Sequence, residues 1–427
     1  MPSRGYKNGA RIKEEQDEMV KIQQQVLALT GDEAVAYAVK QSEVDVVAAY
    51  PITPQTIIVE RFSEYVYNGE VDTEFVCTES EHSALTACLT AAATGARTFT
   101  ASASAGLALM HEILYVTSGC RAPVVMTIVN RALSAPINIH CDHTDSMVER
   151  DACWIQFYAE NSQEAYDSVI QAFRIAENPD ILLPTMVMLD AFFISHTLES
   201  VKVFPDEVVR KFVGTRRIPM VRSHEGKLVP FKLDPENPIT MGPFDIYDYY
   251  FEHKRQQEEA MQRALQIIKQ VHDEYEKISG RRYGNGLIEP YRLEDAEIAI
   301  ICIGSAAGTT KTVVDQLRAQ GTKAGLLRLR VYRPLPVQDI INALKNVKAI
   351  AVMDRSHSFG AHGGPIFHEI RHILYDAPIH PKIVGYIYGL GGRDMPENLI
   401  HQIYNDLEKI LETKRVEKPV HFIGVRE

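Results

Sequence analysis

The feature that most constrains this chain's fold is a sustained alternation, from Thr30 to beyond residue 350, of short apolar runs with helix-length amphipathic stretches. The periodicity predicts helices near residues 32–41 and 54–67, an Ala-rich helix at 80–93 and another at 107–118. Between them lie predicted strands near 44–49, 73–77, 97–103 and 124–129, and later the apolar run 181–189. Such alternation implies a mainly parallel sheet with helices on both faces, whose ligands sit beyond the carboxyl ends of the strands.

The pattern breaks between about residues 215 and 244, where KLVPFKLDPENPITMGPF is rich in proline and charge, as a linker laid over a surface would be. A long helix is expected over 245–279, with Met261, Leu265, Ile268, Val271 and Tyr275 on one stripe and Gly280 as its stop. From about residue 294 a second α/β unit begins, with strands at 298–303, 324–329 and 349–353 and helices from Thr309 and Val337. The division is then an N-terminal arm (1–29), a first α/β domain (30–244), a linker with connecting helix (245–293) and a second α/β domain (294–427). The arm is charged and Gln-rich, and is expected to run into a short helix.

Composition excludes several functions. A length of 427 residues calls for two or three cores, and 45% apolar with 24% charged residues is ordinary for globular chains. The net charge of −11 has no dense Lys/Arg stripe to offset it, which argues against nucleic acid. Six cysteines without a CxxC pair offer neither a zinc ribbon nor an iron–sulfur ligand set, and suit a reducing compartment. The start is polar where a secretory signal would be apolar, and no run reaches the roughly 20 apolar residues of a membrane span. A cytoplasmic chain without a membrane segment is expected.

Three strand-end segments could carry chemistry. In Tyr50-Pro51-Ile52-Thr53-Pro54-Gln55-Thr56, the prolines would fix Thr53 as a helix N-cap with its hydroxyl at the sheet edge. In Thr78-Glu79-Ser80-Glu81-His82, Thr78 and Glu81 have capping-box spacing. The alternative is that Glu81 gives a cofactor nitrogen a charge-assisted bond. After the apolar strand comes Asn130-Arg131, where Arg131 could offer a planar fork to a substrate carboxylate or pair structurally with Asp142, Asp145 or Glu149. His140-Cys141-Asp142-His143 invites a metal reading, but adjacent ligands alternate in direction and no second ligand pair is evident, so no metal is assigned here. Gly304-Ser305-Ala306-Ala307-Gly308 lacks both the GxxxxGK[ST] and GxGxxG spacings and is expected to be a plain strand–loop–helix turn. The segments starting at Asp354 and at Gly389 read as strand ends whose glycines permit close backbone approach or a subunit contact.

Taken together and in order, YPITPQT, ESEHSA, GLALMHE, NRALSAPINI, DHTD, DPENPITMGPF, RPLP and GLGGRD resemble the alpha subunit of the pyruvate:ferredoxin oxidoreductase family. The resemblance implies a pyrimidine-type thiamine-diphosphate-binding domain, a doubly wound parallel sheet, followed by a transketolase C-terminal-like α/β domain. It implies coenzyme-A-dependent oxidative decarboxylation of pyruvate, or the reverse synthesis, with electrons passed to ferredoxin. Thiamine diphosphate would be shared with a beta subunit, while Mg2+ and iron–sulfur clusters would sit on beta, gamma and ferredoxin-like delta partners. Carried over by position, Glu81 resembles the glutamate that pairs with the cofactor's pyrimidine ring. Arg131 and Thr53 resemble the groups that meet the substrate carboxylate, and Ile139 an apolar wall of the pocket. Pro51, Ser104 and Gly106 fall beside the cofactor. Ser104-Ala105-Gly106 departs from the family's frequent Ser-Gln-Gly. Related expectations are the same chemistry on 2-oxoisovalerate or 2-oxoglutarate, or a lipoamide-linked dehydrogenase component, which the identity of the partner chains separates.

Overall fold

A computed structural model describes residues 22–426. The strands, in chain order, are β1 Gln25–Leu29, β2 Val46–Ala49, β3 Glu74–Cys77, β4 Thr98–Ser102, β5 Val125–Asn130, β6 Ile155–Tyr158, β7 Thr185–Asp190, β8 Glu199–Val203, β9 Met220–Arg222 and β10 Leu228–Pro230. They continue with β11 Ile288–Tyr291, β12 Ile298–Cys302, β13 Ala324–Leu329, β14 Val331–Arg333, β15 Ala349–Asp354, β16 Lys382–Ile387 and β17 Val420–Phe422.

The alternation read from the sequence becomes a seven-stranded sheet of order β14-β6-β7-β5-β4-β2-β3, parallel except for β14. Its inner strands β4, β5 and β7 are buried along their whole length, as strands covered on both faces must be. A second sheet, β11-β13-β12-β15-β16-β17, has only β11 antiparallel. The chain therefore has the expected α/β class, with one interlock: β14 leaves the second unit's sequence to pair with β6 of the first sheet.

Several local expectations are corrected. Residues 1–21 of the expected arm lie outside the described residues, and its remainder is not helical: β1 pairs antiparallel with β8. The expected helix over 107–118 is two, Ser104–Leu109 and His111–Gly119, with the join at Met110. The expected linker folds partly into the β9–β10 hairpin. The long helix begins at Tyr250 rather than 245 and ends at Ser279, where Gly280 takes the left-handed conformation. Met261, Ile268, Val271 and Tyr275 of its stripe are buried, while Leu265 is half-buried.

The helix Ser162–Ala176 is buried on almost every side, although it contains Glu164 and Asp167. These carboxylates are compensated by the second half of the chain. Glu164 takes hydrogen bonds from Arg328 and Arg330, whose guanidiniums are themselves fully buried. Asp167 takes them from Arg281, Tyr275 and Tyr283. Removing one partner of such a buried pair costs about 3–5 kcal/mol, so this lattice ties the two sheets together.

Candidate functional site

Because β2, β3, β4 and β5 are parallel, the segments after them emerge at one edge of the first sheet. The chain runs from β2 outward to β3, then crosses back to place β4 on the other side of β2. The crevice between the ends of β2 and β4 is thus a topological switch point, where open α/β sheets bind ligands. Thr53 comes after β2, Glu81 after β3, Ser104 and Gly106 after β4, and Arg131 after β5, so the sequence candidates share this edge.

Glu81 is not part of a capping box. The N-cap of helix Glu81–Thr94 is Ser80, whose Oγ accepts from Ser83 N at 3.3 Å, while Thr78 Oγ1 donates to the carbonyls of Ala49 and Ser80. That register puts Glu81 first in the helix, too early for its carboxylate to return to Thr78. Its side chain is buried, at 6% exposure, yet receives no hydrogen bond or ion pair from the described residues. Gly106 lies against it: a Cβ there would stand 2.5 Å from both Glu81 Oε1 and Ser102 Oγ. A buried carboxylate without a partner, beside a glycine that leaves it room, fits a ligand that brings its own N–H donor. That is the chemistry of an aminopyrimidine.

Thr53 is not an N-cap either. Gln55 occupies the cap position of helix Thr56–Tyr67, fully buried, donating from Nε2 to Ala101 O (2.7 Å) and accepting from Ile52 N (3.2 Å). This tertiary anchor on β4's strand delays the helix beyond Pro54 and leaves Thr53 exposed in the turn. Pro51 is exposed beside it.

Arg131 makes none of the salt bridges considered for it. Its Nη1 donates to Thr53 O (2.8 Å) and its Nε to Asn138 O (3.2 Å), both carbonyls. The guanidinium, in a residue only 8% exposed, thus keeps an uncompensated charge and free N–H capacity among the described residues. Asp145 instead takes the backbone N–H of Arg131 (3.0 Å) and of Ser104 (2.9 Å), with Asn130 Nδ2 and Ser146 N on its other oxygen. Burial pushes its carboxyl up to about 6 against those four donors. Asp145 therefore fastens the β4 and β5 loops to one another. Ser104 Oγ adds a bond to Ala132 O at 2.5 Å. Ile139 is 39% exposed on the same loop as Arg131.

Cys141, His143 and Asp190 each offer an atom within 4.8 Å of the others. The cation they meet is a guanidinium: Arg355 Nη1 lies 3.2 Å from Asp190, which also accepts from His143 Nε2 (2.7 Å) and from Ser305 N and Oγ. Burial alone would raise Asp190, but His143 and Arg355 outweigh it and hold its carboxyl well below the usual range. This cluster is a join between the two sheets. The Gly304-Ser305 turn is the expected strand–loop–helix connection, and its serine is what the join uses. Of the cysteines, Cys88, Cys141 and Cys302 are buried, whereas Cys77, at the end of β3, is exposed.

A family model described as pyruvate flavodoxin/ferredoxin oxidoreductase, thiamine-diphosphate-binding, matches residues 37–273, and one for the pyruvate:ferredoxin oxidoreductase core domain II matches 296–400. Over 401 residues the chain is 48% identical to pyruvate synthase subunit PorA of Thermotoga maritima, covering 94% of this chain and 98% of that one. Over 385 residues it is 50% identical to pyruvate synthase subunit PorA of Methanocaldococcus jannaschii (90% and 95%). Ketoisovalerate oxidoreductase subunit VorA of Pyrococcus horikoshii is 42% identical over 398 residues (93% and 98%). The fold matches a 2-oxoglutarate:ferredoxin oxidoreductase from Magnetococcus marinus at a TM-score of 0.70 and 18% identity, over 90% of this chain and 65% of that one. It matches a split-gene transketolase at a TM-score of 0.52 and 12% identity, over 91% of this chain and 100% of that one. The chain belongs to the pyruvate flavodoxin/ferredoxin oxidoreductase family. Within that family its likeness to PorA subunits runs over nearly its whole length.

Proposed function

We propose that this chain is the alpha subunit of a 2-oxo acid:ferredoxin oxidoreductase that acts on pyruvate, holding the pyrimidine side of thiamine diphosphate. The observation that carries the reading is Glu81, a buried carboxylate without a partner at the switch point of the sheet. When bound, thiamine diphosphate supplies a nucleophilic carbon and a sink for the electron pair left when carbon dioxide departs. Glu81 holds the proton shared with the pyrimidine nitrogen and so sets that ring's protonation state. Gly106 leaves room beside it, and Ser104 and Pro51, at the same sheet edge, are assigned to the cofactor's surroundings. Arg131 receives the substrate carboxylate with the N–H groups it does not spend on Thr53 O and Asn138 O. Thr53 offers its exposed hydroxyl beside that carboxylate, and Ile139 presents an apolar side that suits a small substituent.

Coenzyme A accepts the acyl group, and the electrons leave through iron–sulfur clusters to ferredoxin. The clusters are assigned to partner chains, since this chain's cysteines are scattered without a CxxC pair, and Mg2+ to the diphosphate side of the cofactor on the beta partner. On this reading the pyrimidine-binding domain is residues 30–244 and the transketolase C-terminal-like domain is 294–427, joined through 245–293, in a cytoplasmic complex. Among the described residues no helix is long and apolar enough to cross a membrane. Pyruvate is favoured over a branched 2-oxo acid because the PorA relatives run from 42% to 50% identity and VorA stands at the lower end of that range, at 42%.

The test is coexpression with the partner chains and a coenzyme-A-dependent ferredoxin-reduction assay on pyruvate, 2-oxoisovalerate and 2-oxoglutarate. The reading expects the highest kcat/KM on pyruvate, and a colourless, inactive chain when it is expressed alone. A stoichiometric iron–sulfur spectrum from the lone chain, or a preference for 2-oxoisovalerate, would overturn it.

A further inference from the structure

The GLGGRD segment at the end of β16 has no part in the chemistry above, yet it lies on the loop that carries Arg131. Asn138 stands between the two. Its carbonyl accepts from Arg131 Nε at 3.2 Å, and its side-chain Nδ2 donates to Gly391 O at 3.0 Å. Its Oδ1 accepts from His140 N at 2.7 Å, an Asx turn that fixes the direction of the side chain. A second bond, Gly392 N to Cys141 O at 2.7 Å, holds the loop three residues further on. The approach is close enough to require glycine: a Cβ on Gly391 would stand 2.5 Å from Asn138 Nδ2, and one on Gly392 would collide with His140 Cβ. Both glycines also have positive φ, +63° and +79°.

We propose that Asn138 is a positioning residue for substrate recognition: through it the Gly391–Gly392 turn of the second α/β unit sets the orientation of the Arg131 guanidinium. The inference rests on the reading of Arg131 as the carboxylate clamp. Two of the guanidinium's nitrogens are tied to carbonyls, Nη1 to Thr53 O and Nε to Asn138 O. The second of these carbonyls keeps its place because the side chain of the same residue is bonded across the join between the units. Without the amide the Asn138 peptide can rotate and the fork loses one of its two fixed points, so the clamp is misaligned while the fold remains.

The experiment is a double-mutant cycle on the assembled complex, combining Asn138→Ala with Arg131→Ala and reading kcat and KM for pyruvate separately. Misplacement of a binding group by about an ångström can cost a hundredfold in rate, so Asn138→Ala should lower kcat/KM roughly ten- to a hundredfold, chiefly through KM. In the Arg131→Ala background the same change should have almost no further effect. Asn138→Ser keeps an acceptor for His140 N but cannot reach Gly391 O. It should reproduce the defect, and it guards against a loop collapse specific to alanine. Equal losses in both backgrounds, or wild-type kinetics for the Asn138 variants where Arg131→Ala is impaired, would overturn the role of Asn138 alone. Wild-type kinetics for Arg131→Ala would instead remove the clamp reading, and this inference with it.

Discussion

Gly106→Ala adds one methyl group to a place where the structure leaves no room for it. The new Cβ would lie 2.5 Å from Glu81 Oε1 and from Ser102 Oγ, against about 3.4 Å for an ordinary contact. Both must give by about 0.9 Å: the Ser102 hydroxyl, without a hydrogen-bond partner among the described residues, by turning about its Cα–Cβ bond, and the Glu81 carboxylate, likewise unbonded, by shifting away. Stability is affected little. Alanine is favoured over glycine inside a helix by about 1 kcal/mol, which offsets much of the roughly 1–3 kcal/mol of overpacking. Catalysis depends on where the carboxylate stands, and a displacement of about 1 Å can cost a hundredfold. The expected outcome is a kcat for pyruvate reduced roughly ten- to a hundredfold, with a Tm within a few degrees of wild type. The assay is steady-state ferredoxin reduction by the assembled complex, with thermal denaturation of the same preparation. Wild-type kcat with an unchanged Tm would show that Glu81's position against Gly106 is immaterial to the reaction.

The same geometry sets the other expectations. Arg131→Ala should lower kcat/KM for pyruvate about ten- to a hundredfold, because a hydrogen bond to a charged group contributes about 1.5–3 kcal/mol. Arg131→Lys should rescue it only in part, since a point charge lacks the planar fork. A variant that loses Tm and keeps its kinetics would return Arg131 to a structural role. Asp190→Asn should destabilise the chain by about 3–5 kcal/mol in chemical denaturation by leaving Arg355 buried without its carboxylate. The pH dependence has a definite sign. Asp190 is held below its unfolded pKa, so its stabilisation is full above the ordinary carboxylate range near 4 and is lost as pH falls below it. The Asn variant should therefore show a shallower acid limb of Tm against pH, and parallel limbs would contradict the assignment.

The fold class was legible because burial on both faces writes itself into the sequence as short apolar runs, and β4, β5 and β7 are of that kind. The features that were not legible depend on partners distant in the chain. No local period marks β14 as an edge strand of the first sheet, nor explains why Glu164 and Asp167 can sit in a buried helix, because the arginines that compensate them lie beyond residue 280. At the site, local rules placed Thr53, Glu81 and Arg131 at strand ends but misjudged their bonding. A Thr-Pro pair reads as a cap until Gln55 is seen anchored on Ala101 O, and Thr78 reads as a capping-box partner until Ser80 is seen as the N-cap. Asn138 and Gln55 were missed altogether. An amide seven residues after a strand-end arginine, or directly after a Thr-Pro pair, was the available signal, but their partners are 253 and 46 residues away.

The proposed chemistry turns on Glu81 as the group that shares a proton with the cofactor's pyrimidine. Its most direct measurement is deuterium exchange at the thiazolium carbon of thiamine diphosphate bound to the assembled complex, compared between wild type and Glu81→Gln. Glutamine keeps the shape and the start of the helix but cannot form the charge-assisted bond, and proton-transfer assistance of this kind is worth about a hundredfold to ten-thousandfold. The expected result is exchange slowed by at least about a hundredfold, with cofactor still bound. Exchange at the wild-type rate in a fully loaded Glu81→Gln complex would contradict it.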